Sequence, residues 1–246
     1  KDLIFNDFGE TVVKLGVDLN NPQPQTGNYE VFVKERRGLN VGRSEGVFTV
    51  TVEAFVEPAI LYIPETSDGW LGVLDAKNTE ISLPEHLKVR HDGVVSGREQ
   101  ITVLEGAWQG KKLSVKMPGG KSNLSRVDIH AASVTLRYSI SKKTLRLNNK
   151  IYKATDDHEN PWEKGVYDIE IPDHPHMLGR GYIRDSKNAI TWFRIGHSGD
   201  RYLHTGRVSE GCITIIETKK WNEIYNILIT GRKGDSMSVG TMEVVD

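Results

Sequence analysis

Cysteine is almost absent from this chain, since Cys212 is the only one among 246 residues. An intrachain disulfide is therefore excluded, and the fold must depend on its hydrophobic core. A chain of this length can bury a substantial core and can contain one domain or two. A lone cysteine is most often a small buried hydrophobe, so a chemical role for it needs support from its neighbours.

An excess of charge of either sign is also absent. Lys and Arg number 32 against 33 for Asp and Glu, which gives no electrostatic basis for binding nucleic acid or an anionic membrane. No apolar run approaches the ~18–20 residues of a membrane-spanning helix. We therefore expect no nucleic-acid partner and no membrane span. Lys1 follows no apolar leader, so we expect that any signal peptide was removed or lies outside this sequence.

Long helical periodicity is scarce, whereas glycine, aromatic and β-branched residues are common. Short apolar or alternating runs, separated by Gly, Pro, Asn and Asp, are typical of strands and turns. We therefore predict a mainly β fold, in which an antiparallel β module precedes a β-rich domain with one clear helix. The predicted strands are 29–33, 47–52, 59–63, 70–74, 101–104, 134–140, 165–171, 190–195, 201–205 and 239–245, with a hairpin that turns at Asn148 and Asn149.

A polar, glycine-containing stretch at 118–123 (PGGKSN) indicates a domain boundary. We place the boundary between residues 122 and 123; a position about ten residues later fits the sequence equally well. Residues 1–122 contain no chemical motif and are expected to form an accessory or binding module. Residues 123–246 are expected to form the domain that carries the chemistry.

One helix is predicted near the C-terminus. The apolar positions that follow the i, i+3, i+4, i+7 spacing of one helical face are Trp221, Ile224, Tyr225 and Leu228. Thr218 is expected to cap the start of this helix, and Gly231 is expected to end it.

The segment at residues 209–212 (SEGC) fits the requirements of a thiol nucleophile. Such a cysteine needs a base, backbone donors for an oxyanion and exposure on a tight turn. Gly211 lets a substrate approach the backbone closely, and the N–H groups of Gly211 and Cys212 can point at one oxyanion. Two histidines upstream, His197 and His204, are the candidate bases.

This pattern, Ser-Xaa-Gly-Cys-Ile with a histidine upstream, resembles the signature of the L,D-transpeptidases, the YkuD-type catalytic domain. The resemblance covers about residues 126–246, where the hairpin at Tyr152, the later strands and the helix follow the order of that domain. Two positions depart from the family pattern, because Glu210 replaces the usual His and Thr214 the usual Arg or Asn. Hydrolysis, as in a carboxypeptidase, can therefore replace transpeptidation.

The resemblance implies acyl transfer on peptidoglycan without a cofactor. The base deprotonates Cys212, the thiolate attacks an amide carbonyl of a tetrapeptide stem, and an amine or water accepts the acyl group. Stem peptides are then the substrate, and the protein is expected in the periplasm, the cell envelope or the secreted fraction. Delivery as an effector or a phage component is the alternative location. Residues 1–122 would position the enzyme on a wall, an envelope partner or a delivery machine.

His197 and His204 are each favoured as the base by a different feature of the sequence. His197 has the spacing from Cys212 that the family signature shows, but it is predicted to lie at a hairpin tip, where a side chain is hard to hold. His204 is predicted to end a strand, in a Leu-His-Thr-Gly context similar to that of the family. We favour His204 because a base must be preorganised. Ser209 or a backbone carbonyl is expected to orient the imidazole.

Further polar residues are assigned to substrate binding. Arg207 is the arginine of interest near Cys212, because a guanidinium can hold a substrate carboxylate through two hydrogen bonds. Glu210 and His176 are also expected to contact substrate. His174 and His176 follow Asp173 with a spacing that can bind zinc, but Pro175 disfavours a regular strand there and we predict no metal.

Two other functions remain compatible with the sequence. One is a non-catalytic phage or envelope protein, structural or binding, that keeps a degenerate domain. The other is a metal-dependent peptidase that uses His174 and His176.

Overall fold

The computed structural model describes residues 27–32, 47–52 and 59–246, and the chain divides into two compact units, Lys1–Glu57 and Pro58–Asp246. In the first unit, strands β1 (Gly27–Phe32) and β2 (Val47–Val52) pair antiparallel. The remainder of the first predicted strand, residue 33, lies outside the described residues.

Six strands of the second unit form an antiparallel sheet. They are β3 (Ile60–Tyr62), β4 (Trp70–Leu74), β5 (Glu80–Pro84), β6 (Lys88–Val95), β7 (Arg98–Val103) and β8 (Lys112–Lys116). Their order across the sheet is β3-β6-β7-β8-β4-β5. In β8, Leu113 and Val115 are buried while Lys112 and Lys116 are exposed, so one face of the sheet packs on the core.

The rest of the second unit contains ten strands. They are β9 (Ala131–Ala132), β10 (Val134–Ser139), β11 (Thr144–Leu147), β12 (Lys150–Thr155), β13 (Gly165–Glu170), β14 (Phe193–Arg194), β15 (Tyr202–Thr205), β16 (Ile213–Ile215), β17 (Gly231–Arg232) and β18 (Ser238–Val245). Eight of them form one mixed sheet in the order β13-β18-β10-β11-β12-β16-β15-β14, and β9 pairs with β17. A bridge between Ile169 of β13 and Ile195, the residue after β14, links the two edges of the sheet, so this sheet curls back on itself.

The helix α1 (Trp221–Leu228) buries the four predicted apolar residues, and a 3-10 turn at Thr218–Lys220 precedes it. Two further 3-10 segments cover Pro118–Gly120 and Met177–Tyr182. The predicted cap is wrong: the N-cap of α1 is Lys220, without a side-chain cap. Thr218 instead donates its hydroxyl to Asp185 at 2.6 Å.

The predicted helix end at Gly231 is also wrong, because α1 ends at Leu228 and Gly231 belongs to β17. A side chain at Gly231 would place its Cβ 2.6 Å from the carbonyl oxygen of Val239 and 2.9 Å from the side chain of Val134. The glycine is therefore required by the close approach of neighbouring strands and not by a helix cap.

The two sheets share one hydrophobic core. Polar contacts link the six-stranded sheet to α1 and to the loop before β14, since Tyr225 donates to Glu85 at 2.8 Å and the indole of Trp70 donates to Thr191 at 2.8 Å. The expected division between residues 122 and 123 falls on the connection between the two sheets, inside the second unit. Whether 123–246 folds by itself stays a prediction.

The mainly β prediction is confirmed, with one clear helix and extensive antiparallel pairing. The hairpin is confirmed as well, since Leu147 pairs with Lys150 across Asn148 and Asn149, and Asn148 has φ +53°, as tight turns require. Among the described residues, no helix has the length and apolar character needed to span a membrane.

Candidate functional site

The site is built on the neighbouring strands β15 and β16. They run parallel, with Leu203 opposite Ile213 and His204 opposite Thr214. Residues 206–212 connect them. Parallel strands ordinarily need a crossover of roughly a dozen residues, but these strands have only four and three residues. The connection therefore has to return only ~10 Å along the sheet, which allows a short cysteine loop.

This pairing brings the predicted nucleophile next to the strand that carries His204. The Tyr202 N–H donates to Cys212 Sγ at 3.4 Å, and two residues further on His204 Nε2 lies 3.1 Å from Thr214 Oγ1. Residues two apart on a strand share a face. Cys212 lies next to Tyr202, and His204 therefore lies on the same face of β15 but two residues further along the strand. Within residues 59–246, no hydrogen bond joins the two side chains.

Cys212 is buried, with 9% of its surface exposed. Besides accepting the Tyr202 N–H, its Sγ lies 3.9 Å from the carbonyl oxygen of Asp200. Burial raises the pKa of the thiol above its ordinary value, and the hydrogen bond from Tyr202 and the charge of Arg201 lower that pKa in part. The carboxylates of Glu210 and Asp200 add to the upward shift. At neutral pH the resting side chain is therefore a thiol.

His204 is also buried, and burial lowers its pKa to about 4. A hydrogen bond to the Thr205 carbonyl opposes that shift, while the charge of His176 adds to it. The Nδ1 atom lies 2.9 Å from the Thr205 carbonyl oxygen, which can only accept, so Nδ1 carries the proton. The lone pair is then on Nε2, which accepts the Thr214 hydroxyl. Of the two groups expected to orient the imidazole, Ser209 and a backbone carbonyl, it is the carbonyl of Thr205 that does so.

His197 lies in a separate cluster. Its Nδ1 is 2.9 Å from Glu170 Oε1 and its Nε2 is 2.9 Å from Asp168 Oδ2. These two hydrogen bonds raise the pKa of His197. The side chain is held in place despite its position in the loop between β14 and β15, but both ring nitrogens are engaged away from Cys212.

Ser209 and Gly211 shape the cysteine turn. The Ser209 hydroxyl donates to the Cys212 carbonyl oxygen at 2.7 Å, so Ser209 closes the turn and does not orient the imidazole. Gly211 has φ +108°, and a Cβ there would lie 2.8 Å from Asn160 Nδ2. Among residues 59–246, no hydrogen-bond acceptor is found for the backbone N–H groups of Gly211 and Cys212.

A cleft of about 660 Å³ adjoins this turn. Its walls include Asn160, Trp162, Tyr167, Asp200, Arg201 and Glu210. Arg201 lies 4.7 Å from the centre of the Trp162 ring and hydrogen-bonds to the side chain of Asn160. Cys212 does not line the cleft, but Asp200, Arg201 and Glu210 belong both to the cleft wall and to the surroundings of the thiol.

The predicted substrate residues are distributed unevenly around this centre. Glu210 is exposed and lines the cleft. Arg207 is exposed, and its backbone N–H donates to the Tyr182 hydroxyl at 3.1 Å. His176 does not line the cleft. Its role in substrate binding, like that of Arg207, stays a prediction.

An aromatic stack connects His176 to His204. Trp192 lies between them, with its ring centre 4.5 Å from that of His176 and 4.1 Å from that of His204. Both pairs are near parallel, at 5° and 18°. Trp192 packs flat against the His204 imidazole and so restricts the orientation of that ring, which makes Trp192 a positioning residue for His204.

Asp173 anchors the far end of this stack. One carboxylate oxygen, Oδ1, lies 3.1 Å from His174 Nδ1 and 3.3 Å from His176 Nε2, and the other, Oδ2, accepts from Arg194 at 2.7 Å. Burial alone raises the pKa of Asp173, but hydrogen bonds from His176 and Arg194 outweigh it and hold that pKa well below its ordinary value. Asp173, His174 and His176 are also the residues here whose side chains could hold a metal ion, since their donor atoms lie within 4.8 Å of one another.

Three residues of the site were not predicted from the sequence: Trp192, Arg194 and Tyr202. Trp192 and Arg194 alternate along one short run, as do Tyr202 and His204 along the next. This period of two could have indicated that each pair shares a face. The contact between the two runs depends on long-range pairing, which the sequence does not reveal.

Comparisons of the chain with protein-family models, with curated proteins and with solved structures found no match.

Proposed function

We propose that the protein is a cysteine-dependent acyltransferase that acts on amide bonds of peptidoglycan stem peptides, with Cys212 as nucleophile and His204 as base. The observation that carries the proposal is the pairing of β15 with β16, which brings Cys212, the residue directly before β16, next to the strand that carries His204. A cleft adjoins the cysteine turn, and Asp200, Arg201 and Glu210 line it. The choice of stem peptides rests on the resemblance of residues 126–246 to the L,D-transpeptidases.

The first step moves the thiol proton to His204 Nε2. That nitrogen has its lone pair free of a proton, because Nδ1–H donates to the Thr205 carbonyl. Nε2 now faces Thr214, so it must reach the thiol by a side-chain rotation or through one bridging water when substrate binds. Catalytic hydrogen bonds are often long in the absence of substrate and tighten in the complex.

The thiolate then attacks the amide carbonyl carbon and forms a C–S bond. The N–H groups of Gly211 and Cys212 are the donors for the oxyanion. When the intermediate collapses, the C–N bond breaks, the imidazolium returns its proton to the leaving amine, and a thioester remains on Cys212. An amine acceptor then yields a cross-linked or exchanged peptide, and water yields a shortened one.

A non-catalytic binding protein is the second candidate. It is favoured by the upward-shifted pKa of the Cys212 thiol and by the engagement of both His204 nitrogens with other groups. In that protein Cys212 would serve only as a small buried side chain.

Covalent trapping separates these candidates. The protein is incubated with a carbapenem-type acylating probe and its intact mass is measured. We expect wild type to gain one probe mass, Cys212→Ala to gain none, and His197→Ala to label as wild type does. Iodoacetamide under the same conditions reports whether the thiol is reachable. A wild-type thiol that alkylates but is never acylated would favour the binding protein.

A further inference from the structure

The second cluster of chemically active side chains is Asp173, His174 and His176, at the end of the aromatic stack. The three residues lie in one short segment between β13 and the 3-10 turn at Met177–Tyr182. Asp173 is buried, the His176 side chain is 11% exposed and the His174 side chain is 55% exposed. The group is therefore anchored at one end and open to solvent at the other.

The spacing of the donor atoms suits a metal ion. Asp173 Oδ1 lies 3.1 Å from His174 Nδ1 and 3.3 Å from His176 Nε2. Ligands about 2.1 Å from a zinc-like ion are separated by about 3.0–3.4 Å in octahedral and tetrahedral arrangements, so both separations from Oδ1 match. The two histidine nitrogens lie within 4.8 Å of each other, so a small rotation of the exposed His174 ring completes the arrangement. Two imidazoles and one carboxylate favour zinc, nickel, cobalt or copper over calcium and magnesium, which prefer oxygen ligands.

The ligands are held before any ion arrives. Arg194 donates to Asp173 Oδ2 at 2.7 Å, and the Tyr202 hydroxyl lies 3.3 Å from the same atom. Oδ1 is thereby directed toward the histidines. The His176 ring is stacked 4.5 Å from Trp192, which fixes its orientation. Such outer contacts typically orient ligands and strengthen metal sites, although the charge of Arg194 opposes a second cation nearby.

We propose that Asp173 Oδ1, His174 Nδ1 and His176 Nε2 bind one divalent d-block metal ion, with the remaining coordination positions open on the His174 side. Binding replaces the contacts between Oδ1 and the two imidazoles by metal–ligand bonds. Each imidazole coordinates through a nitrogen without a proton, so the proton of that nitrogen moves to the other ring nitrogen or is released to water. Binding also fixes His176 against Trp192, the residue that stacks on His204. The site is separate from Cys212, so it does not depend on the acyl-transfer proposal.

Cobalt(II) tests the site directly, because its visible absorption reports coordination by protein ligands. The full chain is titrated with Co²⁺ and, by calorimetry, with Zn²⁺. Wild type is expected to bind one ion. His174→Ala, an exposed position that leaves the core intact, is expected to weaken binding at least about tenfold. His176→Gln serves as the second ligand variant.

Two controls assign the signal. His158 is exposed and outside the cluster, so His158→Ala should bind like wild type. Cys212→Ala should also retain binding, because the thiol is not a ligand. The melting temperature should rise with Zn²⁺ in wild type and in both controls. No stoichiometric binding to wild type, binding unaltered in His174→Ala, or binding lost in Cys212→Ala would each overturn the proposal.

Discussion

At the scale of single residues, Cys212 and His204 share one property: burial keeps both neutral. It raises the pKa of the thiol and lowers that of the imidazole to about 4. A preformed thiolate–imidazolium pair is therefore not the resting state. In the proposed reaction the proton of the thiol therefore moves to the imidazole only after substrate binds.

The depressed pKa of His204 predicts a specific dependence of stability on pH. The unfolded state takes up a proton near pH 6.5 and the folded state only near pH 4, so the free energy of unfolding falls as pH decreases between these values. The full loss is about 3 kcal/mol, and none of it appears above the unfolded pKa. Urea unfolding at a series of pH values measures this loss. We expect the unfolding free energy of wild type, relative to that of His204→Gln, to fall by about 3 kcal/mol as the pH is lowered from about 7 to about 4.

His197 gives the opposite sign and serves as the comparison. Its raised pKa stabilises the folded state fully below the unfolded pKa, and this contribution is lost as pH rises through the folded value. The difference between wild type and His197→Gln should therefore be largest in acid. Equal pH profiles for the two histidine variants would contradict the environments described for them.

At the scale of elements, the short crossover between β15 and β16 determines the geometry of the site. Strand positions and the apolar face of α1 could be predicted from local periodicity, because burial of one face imposes period two or 3.6. The pairing of His204 with Thr214 in two parallel strands could not be predicted in this way, because it joins residues on separate short strands. The cap assigned to Thr218 was wrong for a related reason: its hydroxyl finds a tertiary partner in Asp185.

The cysteine turn makes a prediction at this scale. Gly211→Ala adds a Cβ 2.8 Å from Asn160 Nδ2 at φ +108°, so both strain and a steric clash result. Gly199→Ala is the matched control, because Gly199 has φ +80° and a Cβ there meets nothing within 4 Å. The control should lose about 1 kcal/mol of unfolding free energy. Gly211→Ala should lose about 1 kcal/mol more, because the Asn160 side chain has to move out of its hydrogen bond with Arg201. Equal losses in chemical denaturation would show that Asn160 does not pack on the turn.

At the scale of the whole molecule, the two large sheets of residues 59–246 share a hydrophobic core, and buried polar contacts link the six-stranded sheet to α1 and to the loop before β14. The mainly β class follows from composition and turn chemistry. Two features were not predicted: the division of the chain after Glu57, and the packing of the two sheets into one unit. The reason is that the polar stretch at 118–123 has the composition typical of a linker. In the fold it connects two sheets that pack together.

The packing of the six-stranded sheet against α1 can be tested at the hydrogen bond between Tyr225 and Glu85. Tyr225→Phe leaves the buried Glu85 without its hydroxyl donor, which should lower the free energy of unfolding by about 1–3 kcal/mol. Tyr167→Phe is the control, since the Tyr167 hydroxyl bonds at an exposed position to the Glu163 carbonyl oxygen, and it should cost little. Urea unfolding followed by tryptophan fluorescence measures both. A Tyr225→Phe variant as stable as wild type would contradict a buried hydrogen bond between Tyr225 and Glu85.

The central claim is that Cys212 carries acyl transfer on stem peptides. Mass spectrometry of purified muropeptides, incubated with wild type, Cys212→Ala, His204→Ala or His197→Ala, tests it most directly. We predict that wild type yields cross-linked, exchanged or shortened peptides and that Cys212→Ala loses at least about a thousandfold in rate. His204→Ala should be strongly impaired and His197→Ala close to wild type. A Cys212→Ala variant that converts muropeptides as fast as wild type would contradict the claim.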